Sequence, residues 1–465
     1  MGKAHVHLIQ ADHSDWHVKF PGLHDMEPLA LEVLAGSIRD IADVEIHDAR
    51  SESERQIVEK TKDGDIVGVS TGHVGQVNPA RRLLKGVGEK NPKALRIVGG
   101  AHATLRPGDY KNSDVVCIGS GTEALREILE TEAYQHRERL EEVNGLFLTE
   151  SHTQTPKRTH MGFGMPDRSL IGDYQKLYDD QAIVITSKGC PHRCRYCVLP
   201  LLTNGRYIQR PIGEIVNELN ELDPNVVFMG DDNTFVNYNR MMDLAREIES
   251  QGIDKKYIGY ARTDDITRHP ELFEKWRNIG LSGLVVGYEA VSDSGLEAFG
   301  KGSTREINDE SIQVLRDLGI MNLAHFVIRN DFSNEDFSEV GEYVEENGIM
   351  FPFFVPLTPI PGAPLYEEAK EDGLIKNDNY DLYNFEYMPM ETTEMPKREW
   401  YEEFVGLWVK SYRIGKVAEV PRYASDWSAL VRNGTFFTYM AGGIQKGMKA
   451  LERKYERQLR EEEHL

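Results

Sequence analysis

The chain has 465 residues, 40% of them hydrophobic, and sets 54 Lys and Arg against 76 Asp and Glu for a formal net charge of −22. That length predicts about three domains with ample core, and the acidic balance argues against the phosphate-gripping surface that a nucleic-acid partner needs. No apolar run has membrane-spanning length, Met1-Gly2-Lys3-Ala4-His5 lacks the apolar stretch of a secretory signal, and four cysteines make no disulfide framework, so reduced thiols in a cytoplasmic setting are expected.

Over residues 1–148, short apolar runs alternate with helical stretches. The runs are Ala4–Ile9, Val44–His47, Ile66–Ser70, Leu95–Val98 and Val115–Ile118, and between them lie Pro28–Ile38, Glu52–Lys60, Pro79–Lys90 and Thr122–Glu130. This predicts an α/β, Rossmann-like domain, its parallel sheet covered on both faces. Such sheets take ligands beyond the carboxyl ends of their strands. Those ends read Ser70-Thr71-Gly72-His73, Gly99-Gly100-Ala101-His102 and Gly119-Ser120-Gly121-Thr122. Glycine there lets a bulky ligand lie against backbone, and the last segment enters a helix N-terminus that suits a phosphate. A nicotinamide site fits poorly, because Gly119-Ser120-Gly121 follows the last strand and lacks the full glycine fingerprint. Cys117, alone in an apolar strand, reads as core.

Residues 149–180 are polar and mixed, and read as a linker. Immediately beyond comes Ser187-Lys188-Gly189-Cys190-Pro191-His192-Arg193-Cys194-Arg195-Tyr196-Cys197, with three of the four cysteines inside eight positions. Thiolates are soft ligands for iron–sulfur clusters or zinc. Gly189 and Pro191 predict a loop that folds round one centre. Three thiolates hold three irons of a [4Fe–4S] cube and leave the fourth open to a substrate. A structural zinc with His192 as fourth ligand is the competing reading, but closed zinc sites come as two separated ligand pairs and no second pair exists. A core helix with cysteines at i, i+4 and i+7 is disfavoured by Gly189 and Pro191.

From 181 to 365 the alternation resumes. Strands are expected at Ala182–Thr186, Asn225–Met229, Tyr257–Tyr260, Gly283–Val286, Asn322–Val327 and Pro352–Pro356, with helices between them at Ile212–Leu222, Tyr238–Ser250, Pro270–Ile279, Thr304–Leu318 and Asn334–Glu346. Six β/α units predict a partial (β/α)6 barrel with its chemistry at the carboxyl ends of the strands. Gly230-Asp231-Asp232 suits an amino group or ribose, Arg262 a carboxylate held by its fork, and Glu289 ribose hydroxyls. The bland alternatives are that the aspartates cap a helix and that Arg262 pairs with Glu289.

The C-x3-C-x2-C spacing, with Tyr196 before the last cysteine, resembles the signature of the radical S-adenosylmethionine (SAM) superfamily. The segment from Val69 to Leu129 resembles the cobalamin-binding domains fused ahead of many radical-SAM cores, although Asp15-Trp16-His17 is followed by Phe20 and misses the usual Asp-x-His-x-x-Gly motif. Gly287-Tyr288-Glu289-Ala290, Lys301-Gly302-Ser303-Thr304 and Leu357 through Tyr366 are similar to the group that includes the hopanoid C-3 methylase, a likeness that continues through Asn379-Tyr380-Asp381-Leu382-Tyr383 and Glu399 to Phe404. A departure is Ile328-Arg329-Asn330-Asp331-Phe332, where many relatives have a Gly-x-Pro turn. The resemblance implies a [4Fe–4S] cluster on Cys190, Cys194 and Cys197, SAM beside Tyr196, Asp231, Asp232, Arg262 and Glu289, and cobalamin on Ser70, Thr71, Gly99, Gly100, His102, Gly119 and Gly121. It further implies methylation of an unactivated carbon in a lipid-like (hopanoid or isoprenoid) substrate, with a flavodoxin or ferredoxin as electron donor. Cyclisation, rearrangement or carbon–carbon coupling on the same cofactors is the enzymatic alternative. A non-catalytic metal- and corrinoid-binding protein is the alternative of another class.

Residues 366–465 read as a helical C-terminal domain. Trp400, Phe404, Leu407 and Trp408 recur at helical spacing and are expected to pack on the chain itself. Phe436-Phe437-Thr438-Tyr439-Met440 ahead of Lys446, Lys449, Arg453, Lys454 and Arg457 carries a lesser expectation of peripheral contact with an anionic membrane on the cytoplasmic face.

Overall fold

β-Branched runs bounded by turn residues build two parallel sheets. The computed structural model describes residues 3–13, 26–155, 162–172, 178, 181–376, 379–412 and 453–460. In the first sheet, β1 (Ala4–Gln10), β2 (Ala42–Asp48), β3 (Ile66–Ser70), β4 (Leu95–Gly99) and β5 (Val115–Cys117) run parallel, and β6 (Leu146–Leu148) and β7 (Thr153–Gln154) extend it antiparallel in the order β2-β1-β3-β4-β5-β6-β7. Strand order reverses direction between β1 and β3, so a crevice opens beyond their carboxyl ends.

Alternation along each strand sends successive side chains to opposite faces. Val6 and Leu8 pack with Leu31, Ala35, Ile128 and Leu129 of the helices Leu29–Ile38 and Gly121–Glu130. Ile9, Val67 and Val69 pack with Ile57, Leu83 and Leu84 of the helices Glu54–Lys60 and Val77–Lys90. Ser53 starts the first of these with a reciprocal cap to Gln56. The stretch after residue 148 also joins this unit: β7 pairs with β6, and Ile171 and Tyr178 are buried in the same core.

The second sheet holds β8 (Gln181–Val184), β11 (Val226–Met229), β12 (Lys256–Arg262), β13 (Leu281–Glu289), β14 (Met321–Ile328) and β15 (Phe351–Pro356), all parallel and in chain order. Between β8 and β11 a small hairpin pairs β9 (Ser187–Lys188) with β10 (Ile208–Gln209). Helices Ile212–Glu221, Tyr238–Ser250, Pro270–Asn278, Arg305–Asp317 and Asn334–Glu346 separate the sheet strands, giving the partial (β/α)6 barrel.

The C-terminal segment ties both units together. Tyr366, Tyr380 and Tyr383 are buried in the core under the first sheet, and Tyr380 Oη donates to Asp109 at 2.8 Å. Helix Lys397–Ser411 then packs on Asn334–Glu346, with Trp400 edge-on to Phe337 at 5.7 Å and stacked on Phe404 at 5.1 Å. The aromatic stripe therefore faces its own chain. In place of a Gly-x-Pro turn, the loop after β14 is braced by this segment: Trp400 Nε1 donates to Arg329 O at 2.8 Å and Asn330 Nδ2 to Glu391 O at 2.9 Å. Among the described residues no helix is long and apolar enough to cross a membrane.

Candidate functional site

The cysteine loop leaves the barrel at the carboxyl end of β8 and is closed at its stem by the β9–β10 hairpin. Gly189 has φ +86°, and a Cβ there would lie 2.0 Å from Arg206 O, so only glycine fits. Asp231, at the end of β11, accepts from Thr186 N and Ser187 N at 2.6 Å each and from Thr186 Oγ1 at 2.8 Å. Asp232 accepts from Gly189 N at 2.6 Å. Farther round, Cys197 N donates to Cys194 O at 3.1 Å, and Arg195 N to Phe299 O at 2.9 Å.

These bonds bring the three thiols into one another's field. Burial pushes Cys197 up to about 12, with Cys194 and Cys190 adding to the shift, and burial likewise raises Cys190, again helped by Cys194. A bound cation displaces such protons, because the thiolate is the ligand. Arg262 Nη1 stands 3.6 Å from Cys194 Sγ. A tetrahedral zinc with bonds of about 2.3 Å gathers its sulfurs to about 3.8 Å. Among the described residues, ligand sets gathered within 4.8 Å include none of these cysteines and instead group His192 with Asp264 and Asp265. Three converging soft donors at a wider spread fit a cluster better than a single ion.

Around the loop, the barrel rim presents an interlocked set. Arg262 directs Nε to Asp264 Oδ1 at 2.8 Å and Nη2 to Lys301 O at 2.6 Å. Glu289 Oε1 accepts from Tyr196 Oη at 2.9 Å and from Lys301 Nζ at 2.8 Å, so its cation is Lys301 and not Arg262. Glu289 sits at φ +65°, beside a register shift between β13 and β14. Left-handed backbone is costly for a glutamate and is kept where surrounding contacts over-determine it. Burial opposes its charge, yet the Lys301 ammonium and the Tyr196 hydroxyl prevail and hold the carboxyl below its ordinary range. Asp231 is 2% exposed and pushed up to about 6 by burial; its oxygens brace the loop, whereas Asp232 is exposed. Lys301 and His325 were not singled out from the sequence as site residues. The lysine lies in an irregular segment twelve residues beyond its partner. His325 is half-buried in β14, where it stacks on Phe353 at 5.1 Å.

The first sheet offers the facing rim. Thr71 is fully buried, and its N and Oγ1 both donate to Gly99 O, at 2.8 and 2.9 Å. Gly100 has φ +116°, and a Cβ would meet Thr71 O at 2.3 Å, so the ends of β3 and β4 touch only because it is glycine. Above Gly119 a Cβ would meet nothing within 4 Å, and its N donates to Thr104 Oγ1 at 2.9 Å. Ser70 is half-buried at the end of β3, and Gly121 opens the helix after β5. This glycine-edged, open shelf fits a broad flat cofactor such as a corrin. His102 lies under the shelf: it is 2% exposed, its Nδ1 is 2.9 Å from Tyr110 Oη, and burial pushes it down to about 4. His73 stacks on His13 at 4.8 Å between the ends of β3 and β1. His13 carries no sequence signal of its own. Asp15, Trp16 and His17 lie outside the described residues.

The two rims meet. Helix Ala101–Leu105, directly after the Gly99-Gly100 turn, packs against Leu199–Leu202, which begins two residues after Cys197. A Cβ on Gly362 would sit 3.4 Å from Leu201 and 3.9 Å from Leu105, so the C-terminal segment closes the same corner.

Known proteins agree with this layout. The radical SAM superfamily model matches residues 184–344 and the B12 binding domain model residues 22–129. The hopanoid C-3 methylase of Methylococcus capsulatus is 26% identical over 396 residues, covering 82% of this chain and 75% of that protein. The anaerobic magnesium-protoporphyrin IX monomethyl ester cyclase of Cereibacter sphaeroides is 26% identical over 390 residues, covering 77% of this chain and 62% of that protein. An uncharacterized methyltransferase of Pyrococcus horikoshii is 25% identical over 378 residues, covering 77% of this chain and 81% of that protein. In fold, the chain superposes on the cobalamin-dependent S-adenosylmethionine radical enzyme OxsB with aqua-cobalamin and S-adenosylmethionine bound, with a TM-score of 0.69 at 16% identity over 99% of this chain and 80% of that one. With a B12-binding domain ahead of a radical SAM domain, the chain is a cobalamin-dependent radical SAM enzyme whose cofactors are a [4Fe–4S] cluster, S-adenosylmethionine and cobalamin.

Proposed function

We propose that the enzyme methylates an unactivated carbon of a lipid-like substrate, of hopanoid or isoprenoid type. The observation that carries this reading is the packing of the Gly99-Gly100 corner against the segment that follows Cys197. In this reading a methyl carrier on the first sheet stands beside a radical source on the barrel. A methylase and a methyltransferase among the relatives support it. When bound, the cofactors supply a carbon radical, from reductive cleavage of SAM at the cluster, and a transferable methyl group, from cobalamin.

In this reading Cys190, Cys194 and Cys197 hold the cluster, and Asp231 fixes the stem on which they ride. Tyr196, Asp232, Arg262 and Glu289 border the SAM site. Arg262, already oriented by Asp264, sets a positive charge against Cys194, and the Tyr196–Glu289–Lys301 triad keeps one wall rigid and charged. Ser70, Thr71, Gly99, Gly100, His102, Gly119 and Gly121 form the corrin shelf, with His102 as a neutral support beneath it. The electron donor is a flavodoxin or ferredoxin; the Phe436–Met440 stretch on which peripheral membrane contact would rest lies outside the described residues.

Radical cyclisation is the second reading, favoured by the likeness to a cyclase. The reconstituted enzyme with cobalamin and methyl-deuterated SAM, incubated with a host lipid extract, separates the two. Product heavier by one deuterated methyl group supports methylation. Product with no label overturns it in favour of cyclisation.

A further inference from the structure

Along the β2 edge of the first sheet, away from the ends of β4 and β5, lies a second cluster of ligand-type side chains. His5 and His7 alternate on β1, and Glu45 and His47 on β2, with His7 in register with Glu45. Period-two alternation therefore presents all four on one face. Asp65, just before β3, joins them. His7 is fully buried, and His47 is 2% and Asp65 7% exposed.

His7 Nδ1 lies 2.9 Å from His47 Nε2, His47 Nε2 lies 3.5 Å from Glu45 Oε2, and His7 Nδ1 lies 3.9 Å from the same oxygen. Bonds of about 2.0–2.1 Å in a tetrahedral zinc site set neighbouring ligand atoms about 3.4 Å apart. The observed triangle brackets that spacing. The far nitrogen of each ring faces a carboxylate: His7 Nε2 is 3.1 Å from Asp65 Oδ2, and His47 Nδ1 is 3.4 Å from Glu52 Oε2. A carboxylate only accepts, so each neutral ring places its single proton there. His7 Nδ1 and His47 Nε2 are then left as two lone pairs pointing at each other across 2.9 Å, with a carboxylate oxygen beside them. A cation between them completes the arrangement, and a carboxylate behind each histidine is the usual support of a metal-bound imidazole. His5 Nε2, 3.2 Å from Glu45 Oε1, steadies the third ligand.

We propose that His7 Nδ1, His47 Nε2 and Glu45 Oε2 form a binding site for a divalent transition metal of the zinc class, supported by Asp65 and Glu52. The half-exposed Glu45 leaves the fourth position to water. The ion staples the edge strand β2 to β1.

The test is zinc binding by the full chain with its cluster already reconstituted, so that the loop cysteines are occupied by iron. After equilibration with zinc sulfate and desalting, elemental analysis is expected to find one zinc per chain, with a raised melting temperature. His47→Gln and Glu45→Ala are expected to weaken zinc binding at least tenfold, and Asp65→Asn about tenfold, with iron content unchanged. Glu45 is on the surface, so its variant folds even if a change at the buried histidine does not. Wild type retaining no more zinc than Glu45→Ala overturns the proposal and leaves the histidines as a pair bridged by a proton.

Discussion

Glu289 is a buried carboxylate whose neighbours decide whether it is an asset. One oxygen receives both the Tyr196 hydroxyl and the Lys301 ammonium, and the lysine is itself 4% exposed. Breaking one side of such a pair leaves an uncompensated charge, at a cost of about 3–5 kcal/mol, whereas replacing both sides by apolar groups is often neutral. Lys301→Met is therefore expected to destabilise the enzyme by about that amount, and Lys301→Met with Glu289→Leu to regain most of it. Urea unfolding followed by circular dichroism reads both; equal losses in the single and double variants would contradict the pairing. The individual residues of this site differ in how far the sequence exposes them. Three cysteines in eight positions announce themselves by spacing alone. Lys301 does not, because its partner is chosen by the way two strand ends meet. The His7–His47–Glu45 cluster is hidden for a similar reason: no residue spacing reveals it until the register of β1 against β2 is known.

At the scale of elements, the cysteine loop depends on a stem of only two paired residues per strand. Ser187 and Lys188 face Gln209 and Ile208, and Gly189 passes so close to Arg206 that no side chain fits. Gly189→Ala forces β9 away from β10 and also strains a backbone at φ +86°. The expected result is a folded protein with unchanged far-ultraviolet circular dichroism whose iron and sulfide content after anaerobic reconstitution falls below half that of wild type. Full iron content in the variant would show that the stem does not position the cysteines. The long strands and helices were legible in the sequence because each buries an apolar face over several residues, and the five expected runs of the first sheet and the six of the second coincide with observed strands. The shortest elements were not. β6, β7, β9 and β10 span two or three residues each and carry no periodicity, so only tertiary pairing defines them. The aromatic segment Asn379 to Tyr383 was visible as a motif, but its burial against the first sheet is a long-range contact that local pattern does not encode.

On the scale of the whole molecule, the barrel and the first sheet meet across a knot of carboxylates with too few cations. Arg168 reaches Glu27 at 3.2 Å and Glu218 at 2.8 Å, and Glu27 also accepts from Ile183 N in β8 at 2.6 Å. Glu32, on the helix Leu29–Ile38, is fully buried with its nearest oxygen 3.8 Å from Arg168, and among the described residues neither of its oxygens finds a hydrogen-bond donor. Burial, reinforced by Glu27, pushes its pKa from 4.5 up to about 8. The sign follows from proton counting. Between those two values the folded chain keeps a proton that the unfolded chain has released, so stability falls as pH rises through the window, by up to about 1.4 kcal/mol per pH unit. Below it both states are protonated and the effect vanishes; above it the loss is complete. Glu32→Gln keeps the shape and removes the titration. Wild type and variant should match near pH 4, below the window, and near pH 8 the variant should be more stable by about 2 kcal/mol or more. Parallel stability–pH curves for the two would show that Glu32 ionises normally in the folded state. A widening gap would mean that alkaline pH loosens the joint between the first sheet and the barrel, and under the proposed function SAM cleavage should then outlast product formation as the pH is raised in wild type but not in the glutamine variant.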